Sequence, residues 1–182
     1  MARIFFVLAL FTILPTAARA QDMPLSQILI DGEGWKKVEG GKRPEIMPGI
    51  RAGTRDAVGN RPACYLETAG TLYAGTADGR ALIAFALDKD RNPHHPAPYA
   101  PLCLKRGEQG IRVTWLAGDR DGRIYAATDI GVQVFDPTGR LCGVLTPAAT
   151  GAPEAMAFEG DKLTLWVGDE KYTRKLNTAG AK

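Results

Sequence analysis

Short apolar runs, several of them alternating apolar and polar residues, recur along the chain and are separated by turns rich in Gly, Asp and Pro. Runs spaced by about ten residues are typical of an all-β sandwich, barrel or propeller. After the leader, no longer stretch has helical periodicity. The pattern predicts these strands: SQILI, WKKVE, ACYLE, TLYAGT, ALIAFAL, PLCLK, RVTWLAG, RIYAAT, GVQVFD, RLCGVL, EAMAFE, KLTLWVG and KYTRKL.

Internal repetition favours the propeller among these folds. Residues 72–85, 124–135 and 165–176 each contain a strand, a short Gly/Asp turn and a second strand. RVTWLAG to RLCGVL holds four strands, the content of one blade. PACYLE to PLCLK predicts a second blade, and EAMAFE to KYTRKL a third with three strands. We expect LSQILI to supply the missing strand, because an open sheet edge invites aggregation. The prediction is three to four recognisable blades.

The first twenty residues have the layout of a secretory signal peptide. A basic start precedes the apolar run IFFVLALFTIL, and Ala18-Arg19-Ala20 forms a small-x-small cleavage site. The run is shorter than the roughly 20 residues that a membrane-spanning helix needs. We therefore expect residues 21–182 to form a single exported domain, in the periplasm or outside the cell, with no membrane span after cleavage.

Two stretches of the mature chain are irregular. Residues 40–62 contain five basic residues and three prolines, and could be a degenerate blade, a mobile loop or a binding strap. Residues 88–101, DKDRNPHHPAPYAP, are predicted to be a Pro-rich loop, since proline is excluded from central strands.

Charge and cysteine content exclude some classes of function. Removing residues 1–20 leaves 21 basic and 20 acidic residues without a basic cluster, so nucleic acid is not an expected partner. Cys64, Cys103 and Cys142 lie 39 positions apart, which excludes a compact CxxC motif. One pair could form a disulfide in an oxidising compartment. We favour three unpaired thiols buried in apolar strands.

No catalytic motif emerges from the residue pattern itself. His94 and His95 are the only histidines, but adjacent side chains on an extended segment point to opposite faces and rarely bind one ion. Asp119 belongs to a group of aspartates at turns, where hydrogen bonding to the backbone explains them. These three residues are weak metal candidates, and the catalytic residues are not predicted. No nucleophile elbow or phosphate-binding loop is present.

The segment IYAATDIGVQVFDPTGRLCGVL resembles the C-terminal blades of the gluconolactonase and regucalcin (senescence-marker-protein) family. Strand, Thr-Asp-x-Gly turn, VQVFD strand and Asp-x-x-Gly-Arg turn follow in the family's order. ILIDGEGWKKVEGG, LYAGTADGRALIAFALDKD and GDEKYTRKLNTAGAK agree more loosely. The resemblance implies a six-bladed propeller, but the mature 162 residues are too few for six blades of about 40. A chain of this length could form a smaller ring, an open arc of blades, or a homodimer.

The resemblance also implies lactone or ester hydrolysis at a divalent metal, calcium or zinc, held by oxygen ligands on the axis. Alignment places Arg51 at the family's Glu position and Thr114 at its Asp position. A cation and a hydroxyl cannot hold a divalent ion as two carboxylates would, so we expect no metal site. Two functions follow: hydrolysis of a small lactone or ester, or a non-catalytic module that binds a ligand or a periplasmic protein.

Overall fold

The computed structural model describes residues 23–44, 53–59 and 64–181. Within those ranges the protein is almost entirely β-structure, with one short helix, α1 (Arg55–Val58), and one 3-10 turn at Leu25–Gln27. The strands are β1 (Lys36–Val38), β2 (Tyr65–Thr68), β3 (Thr71–Gly75), β4 (Ala81–Leu87), β5 (Pro93–Pro101), β6 (Trp115–Gly118), β7 (Ile124–Thr128), β8 (Gly131–Phe135), β9 (Leu141–Leu145), β10 (Ala155–Glu159), β11 (Lys162–Val167) and β12 (Glu170–Lys175). The all-β prediction is confirmed.

These strands form three four-stranded antiparallel sheets in the described part of the chain. Sheet 1 has the order β2-β3-β4-β5, sheet 2 the order β6-β7-β8-β9, and sheet 3 the order β10-β11-β12-β1. β6 contacts both β2 and β10, so the first strand of sheets 1, 2 and 3 lies on the inside. This is the arrangement of three propeller blades, as predicted.

The turns of sheet 2 are set by aspartates that bind the backbone. Asp119 begins the β6–β7 turn and Asp136 the β8–β9 turn, in the same pattern Asp-x-x-Gly-Arg. In both turns one carboxylate oxygen accepts hydrogen bonds from the amides two and four residues further on, at 2.8–3.0 Å. Gly122 and Gly139 have φ near +84°, a conformation that favours glycine. The sequence pattern therefore fixes two hairpins of this sheet.

Apolar side chains fill the spaces between neighbouring sheets. The buried cluster between sheets 1 and 2 consists of Leu82, Ala100, Leu102, Ile111, Leu116, Ile124, Ala126 and Phe135. The buried cluster between sheets 2 and 3 consists of Ile28, Ala117, Tyr125, Ala127, Val132, Val134, Leu145, Met156, Leu163, Leu165 and Leu176. On the outer side of sheet 1, Val58 of α1 packs on Leu72 and Phe85.

An N-terminal strand completes sheet 3, but it is not the predicted one. β1 pairs with β12, with Lys37 opposite Tyr172, whereas LSQILI forms the 3-10 turn and a buried connection. Leu25, Ile28 and Leu29 follow a spacing of three and four residues, which places apolar groups on one side of a helical turn and not on one face of a strand. Ile28 is 1% exposed within the core between sheets 2 and 3.

The predicted loop at residues 88–101 is wrong over Pro93–Pro101, which form β5. β5 is the outer strand of sheet 1, and proline is tolerated there because one side of an edge strand needs no hydrogen-bond donors. Its pairing with β4 contains register shifts. PLCLK, predicted as this fourth strand, follows it as a non-strand segment from Leu102 onward.

The irregular segment 40–62 is described at residues 40–44 and 53–59. Arg43 forms an ion pair with Glu154 at the start of β10 in sheet 3. Residues 53–59 lie on sheet 1, where Gly53 approaches Pro93 and Val58 enters the core. The two described parts therefore contact the first and the third sheet. Residues 45–52 and 60–63 and the predicted signal peptide lie outside the described residues, and no helix in the described ranges has the length and apolarity of a membrane span.

Candidate functional site

One residue stands directly before each inner strand, at the same end of the three sheets. These residues are Cys64 before β2, Thr114 before β6 and Glu154 before β10. Because β2 and β10 both neighbour β6, the three positions lie at one end of the inner strands, which we call the mouth. Thr114 was predicted to occupy a metal-ligand position at this mouth, whereas Cys64 and Glu154 were not identified from the sequence.

Thr114 is engaged in joining two sheets. Its amide donates a hydrogen bond to the carbonyl oxygen of Ala127 on β7, at 2.9 Å. Its hydroxyl is shared between the same carbonyl and that of Pro153, which precedes β10. The hydroxyl proton is thus directed at backbone carbonyls of sheets 2 and 3, a structural role that leaves this side chain no free donor.

Cys64 is a protonated thiol at neutral pH. Burial raises the pKa of this thiol to about 11, and a hydrogen bond from the backbone of Leu116 offsets only part of the increase. The thiolate is the nucleophilic form of cysteine, so this environment makes Cys64 unreactive. The three cysteines are free, but Cys103 is exposed, which corrects the expectation that all three are buried.

Glu154 is the one carboxylate among the three mouth residues. Its side chain is half exposed and pairs with Arg43, whose guanidinium also reaches the Glu154 carbonyl at 3.4 Å. The ion pair connects the segment after β1 to the start of β10. Arg51, the residue that the alignment placed at the family's Glu position, lies outside the described residues.

The weak metal candidates do not come together. His94 and His95 lie on β5, and their ring centroids are 4.5 Å apart. The expectation that the rings point to opposite faces is wrong, because His95 has φ of +50°, outside the extended conformation, where the pairing of β5 with β4 shifts register. Asp119 lies at the far end of β6 from Thr114. In the described ranges, no three His, Cys, Asp or Glu side chains gather in a way that could hold an ion. The described residues therefore do not fit a calcium or zinc site of the family's kind.

Asp119 is the centre of a buried polar cluster. Its second carboxylate oxygen accepts hydrogen bonds from Arg123 Nη1 (3.2 Å), the Tyr125 hydroxyl (3.0 Å) and the Thr178 hydroxyl (3.3 Å). Burial, followed by the charge of Asp119, raises the pKa of Tyr125, which keeps this hydroxyl a donor. Arg123 also binds Asp121 at 3.0 Å. With every oxygen of Asp119 already accepting hydrogen bonds, the cluster has a structural explanation.

The same turn pattern has a different environment at Asp136. Burial alone would raise its pKa, but hydrogen bonds from the Thr138 and Arg140 side chains and amides outweigh burial, and the pKa of Asp136 lies below its usual range. Arg140 is 54% exposed, whereas Arg123 in the equivalent position is 4% exposed. The two turns therefore share local bonds and differ in how deeply the cation is buried.

A cleft of about 490 Å³ opens beside the mouth, between sheets 1 and 2. It is lined by residues 75–80 of the β3–β4 turn, residues 109–113 of the segment before β6, Val58 and Cys64. The two backbone segments are in direct contact, because the Ile111 amide donates to the Gly79 carbonyl at 2.8 Å. A Cβ at Gly110 would lie 2.0 Å from the Asp78 carbonyl, so only glycine permits this approach. This cleft is our candidate binding site.

Two arginines, Arg80 and Arg112, are among the residues that line this cleft. Arg80 donates through Nε to the Gln109 carbonyl (2.9 Å) and through Nη2 to Gln109 Oε1 (2.8 Å). Arg112 is exposed and has no ion-pair partner in the described part of the chain. Asp78 accepts hydrogen bonds from the Thr76 hydroxyl and then from the Arg80 amide, which hold its pKa below the usual range. Sequence reasoning missed both arginines, since neither belongs to a motif.

Comparison with solved structures identifies the architecture. A candidate gluconolactonase matches with a TM-score of 0.54 and 20% identity, over 68% of this chain and 41% of that one. The fold is that of the gluconolactonases. Two further structures are a gluconolactonase from Xanthomonas campestris and a luciferin-regenerating enzyme. Their TM-scores are 0.46 and 0.49, their identities 24% and 12%, and the matches cover 59% and 65% of this chain and 34% and 46% of theirs.

The gluconolactonase-like fold inferred from IYAATDIGVQVFDPTGR is thus confirmed. This chain spans about two fifths of the length of the candidate gluconolactonase, in agreement with a shortened propeller. At 20% identity the likeness extends to the fold alone. No family model matches the sequence. No curated protein matches it either.

Proposed function

We propose that this protein is a shortened propeller that binds a small molecule in the cleft between sheets 1 and 2, without a catalytic metal. One observation carries the proposal. An open cleft lined by two arginines lies beside the mouth, whose own side chains are unreactive or already bonded to other groups of the protein. Cys64 is a protonated thiol, Thr114 binds backbone carbonyls and Glu154 is paired with Arg43. A volume of about 490 Å³ suits a small organic ligand.

We include export in this proposal. It is supported by the charged start, the apolar run and the Ala18-Arg19-Ala20 site of the sequence. Cell fractionation followed by N-terminal sequencing tests it. We expect the mature chain to begin at Gln21 in the periplasm or the medium, and a full-length cytoplasmic protein would contradict this part of the proposal.

A second candidate function is hydrolysis of a lactone or ester. The fold shared with a candidate gluconolactonase favours it. Fold alone does not determine function, because one fold carries many chemistries. Among the three mouth residues only Glu154 could act as a base toward water, and its pairing with Arg43 opposes that role.

The two functions are separated by measuring binding and turnover on one preparation of the mature protein. Thermal shift and isothermal titration against a panel of sugars, sugar acids, sugar phosphates and lactones report binding. A pH-stat reports lactone hydrolysis, with EDTA, calcium or zinc. The binding proposal expects a saturable ligand and no turnover under any metal condition. Turnover above the uncatalysed rate that Glu154→Gln abolishes and Glu159→Gln preserves would establish the hydrolase instead, because Glu159 is an exposed acid at the other end of β10.

A further inference from the structure

The geometry points to a small organic oxyanion, a carboxylate or phosphate ester, as the ligand of the cleft, held by Arg80 and Arg112. This inference rests on the proposed binding function and names its ligand class. The first support is charge. The described residues that line the cleft include two arginines and one aspartate, so the lining is net positive although the mature chain is nearly neutral.

The second support is that, apart from Oδ2 of Asp78, the side-chain polar groups available to a ligand are donors. Gln109 uses its side-chain oxygen to accept from Arg80, so the amide nitrogen is the end that remains for a ligand. Arg112 has only donors, and its guanidinium has no carboxylate partner in the described ranges. The Thr76 hydroxyl is directed at Asp78, at 2.6 Å. A donor set of this kind is satisfied by a group that only accepts, which is the chemistry of an oxyanion.

The third support is that the site is held in place before a ligand arrives. Two hydrogen bonds to Gln109 fix the Arg80 guanidinium across the gap between sheets 1 and 2. The Ile111–Gly79 backbone bond and the close approach of Gly110 to Asp78 fix the two lining segments. A pre-positioned guanidinium loses little conformational entropy on binding, which favours affinity.

The nearby carboxylate does not cancel this preference. Asp78 directs Oδ1 toward the Thr76 hydroxyl and the Arg80 amide within its own turn. Its charge is therefore partly compensated by the turn, whereas Arg112 has no such compensation in the described part of the chain. The cation that decides ligand class is Arg112, and the group that orients the ligand is Arg80.

The test compares three probes with one carbon skeleton: ribonate, ribose 5-phosphate and ribose. Isothermal titration is run on the mature protein and on the variants Arg112→Ala and Arg106→Ala. Arg106 is an exposed arginine in the segment before β6 and lies outside the cleft lining, so it is the matched control. Circular dichroism and thermal melting confirm that both variants fold like the wild type.

We expect saturable binding of at least one anionic probe, no binding of ribose, and a dissociation constant raised about tenfold or more by Arg112→Ala. Arg106→Ala should leave it unchanged, and added NaCl should weaken binding. Whichever of ribonate and ribose 5-phosphate binds more tightly identifies carboxylate or phosphate as the recognised group.

The inference is overturned if ribose binds as tightly as its anionic derivatives, if neither anionic probe binds at millimolar concentration, or if both arginine variants behave alike. A neutral ligand found in the wider panel, with no anionic probe bound, would remove the oxyanion inference and leave the binding function standing. Lactone turnover without saturable binding in this cleft would remove both.

Discussion

Replacing Asp119 by alanine should be far more damaging than the same change in the equivalent turn at Asp136. In the Asp119 variant, the Arg123 guanidinium, 4% exposed, would lose its buried partner, whose side chain is 0% exposed. The Tyr125 hydroxyl would lose its acceptor as well, whereas Arg123 and the Thr178 hydroxyl would keep Asp121, whose side chain is 43% exposed, as their only carboxylate partner. Removing one member of a buried ion pair costs about 3–5 kcal/mol, because the remaining charge stays in the interior. We expect the lower part of this range, because Asp121 remains as a partner of Arg123.

Asp136 provides the matched control, since its turn has the same Asp-x-x-Gly-Arg pattern and the same backbone bonds. Its cation, Arg140, is 54% exposed and can move into water when the carboxylate is removed. The Asp136→Ala variant then loses mainly the hydrogen bonds of the turn, worth about 1–2 kcal/mol in total. The expected difference between the two variants is about 2–3 kcal/mol.

Urea unfolding followed by tryptophan fluorescence and circular dichroism measures this difference. With an m-value of about 1–3 kcal/mol/M, the Asp119 variant should unfold at a midpoint lower than that of the Asp136 variant by about 1 M or more, at similar m. A double replacement, Asp119→Leu with Arg123→Met, should recover part of the loss because no charge remains buried. Equal midpoints for the two alanine variants would refute the argument that burial of the cation, and not the turn motif, sets the cost.

The remaining predictions concern pH, thiol reactivity and assembly. Because folding lowers the pKa of Asp136, its ionised carboxylate stabilises the folded state above the unfolded pKa of about 4, and this stabilisation is lost as the pH falls through the folded pKa. Asp136→Asn should therefore flatten the dependence of the urea midpoint on pH below about pH 4. An unchanged slope would contradict this. Dithionitrobenzoate at pH 8 should modify Cys103 rapidly and Cys64 slowly, as peptide mass mapping would show, and rapid modification of Cys64 would contradict its burial. Leu141 is the one exposed large apolar side chain in the described ranges, so light scattering should give a monomer mass, and a stable dimer would contradict this expectation.

The sheets of this protein could be predicted from the sequence because their signals are local. Asp119 and Asp136 start turns whose bonds lie within five residues, and the strands between them, β7 and β8, are short and mostly apolar runs that are buried throughout. LSQILI was misassigned because its apolar residues also fit a helical turn, and only packing between sheets 2 and 3 decides where Ile28 lies. Pro93–Pro101 was misassigned because its role as an edge strand depends on its place in sheet 1.

The candidate site was less predictable for the same physical reason. Thr114 could be placed at the mouth through the resemblance, and the structure has it directly before β6. Arg80 and Arg112 are brought together only by the packing of two sheets, and no spacing along the chain indicates that the β3–β4 turn meets the segment before β6. His94 and His95 were interpreted as diverging because an ordinary extended backbone was assumed, and the positive φ of His95 could not be foreseen.

Because residues near the two chain ends meet in sheet 3, the order of the strands along the chain could be changed by circular permutation. β1 pairs with β12, and the Asn177 amide donates to the Ile28 carbonyl at 2.8 Å, so residues near both termini lie side by side. A short linker could join them, and new termini could be opened in the β9–β10 connection, at the exposed Thr150 and Gly151, where the cut separates no paired strands. Such a circular permutant would convert the most distant strand pairing of the fold into a neighbouring hairpin. Closing a short loop costs less entropy than closing one that spans most of the chain, so the permuted protein should fold faster with the same final sheets.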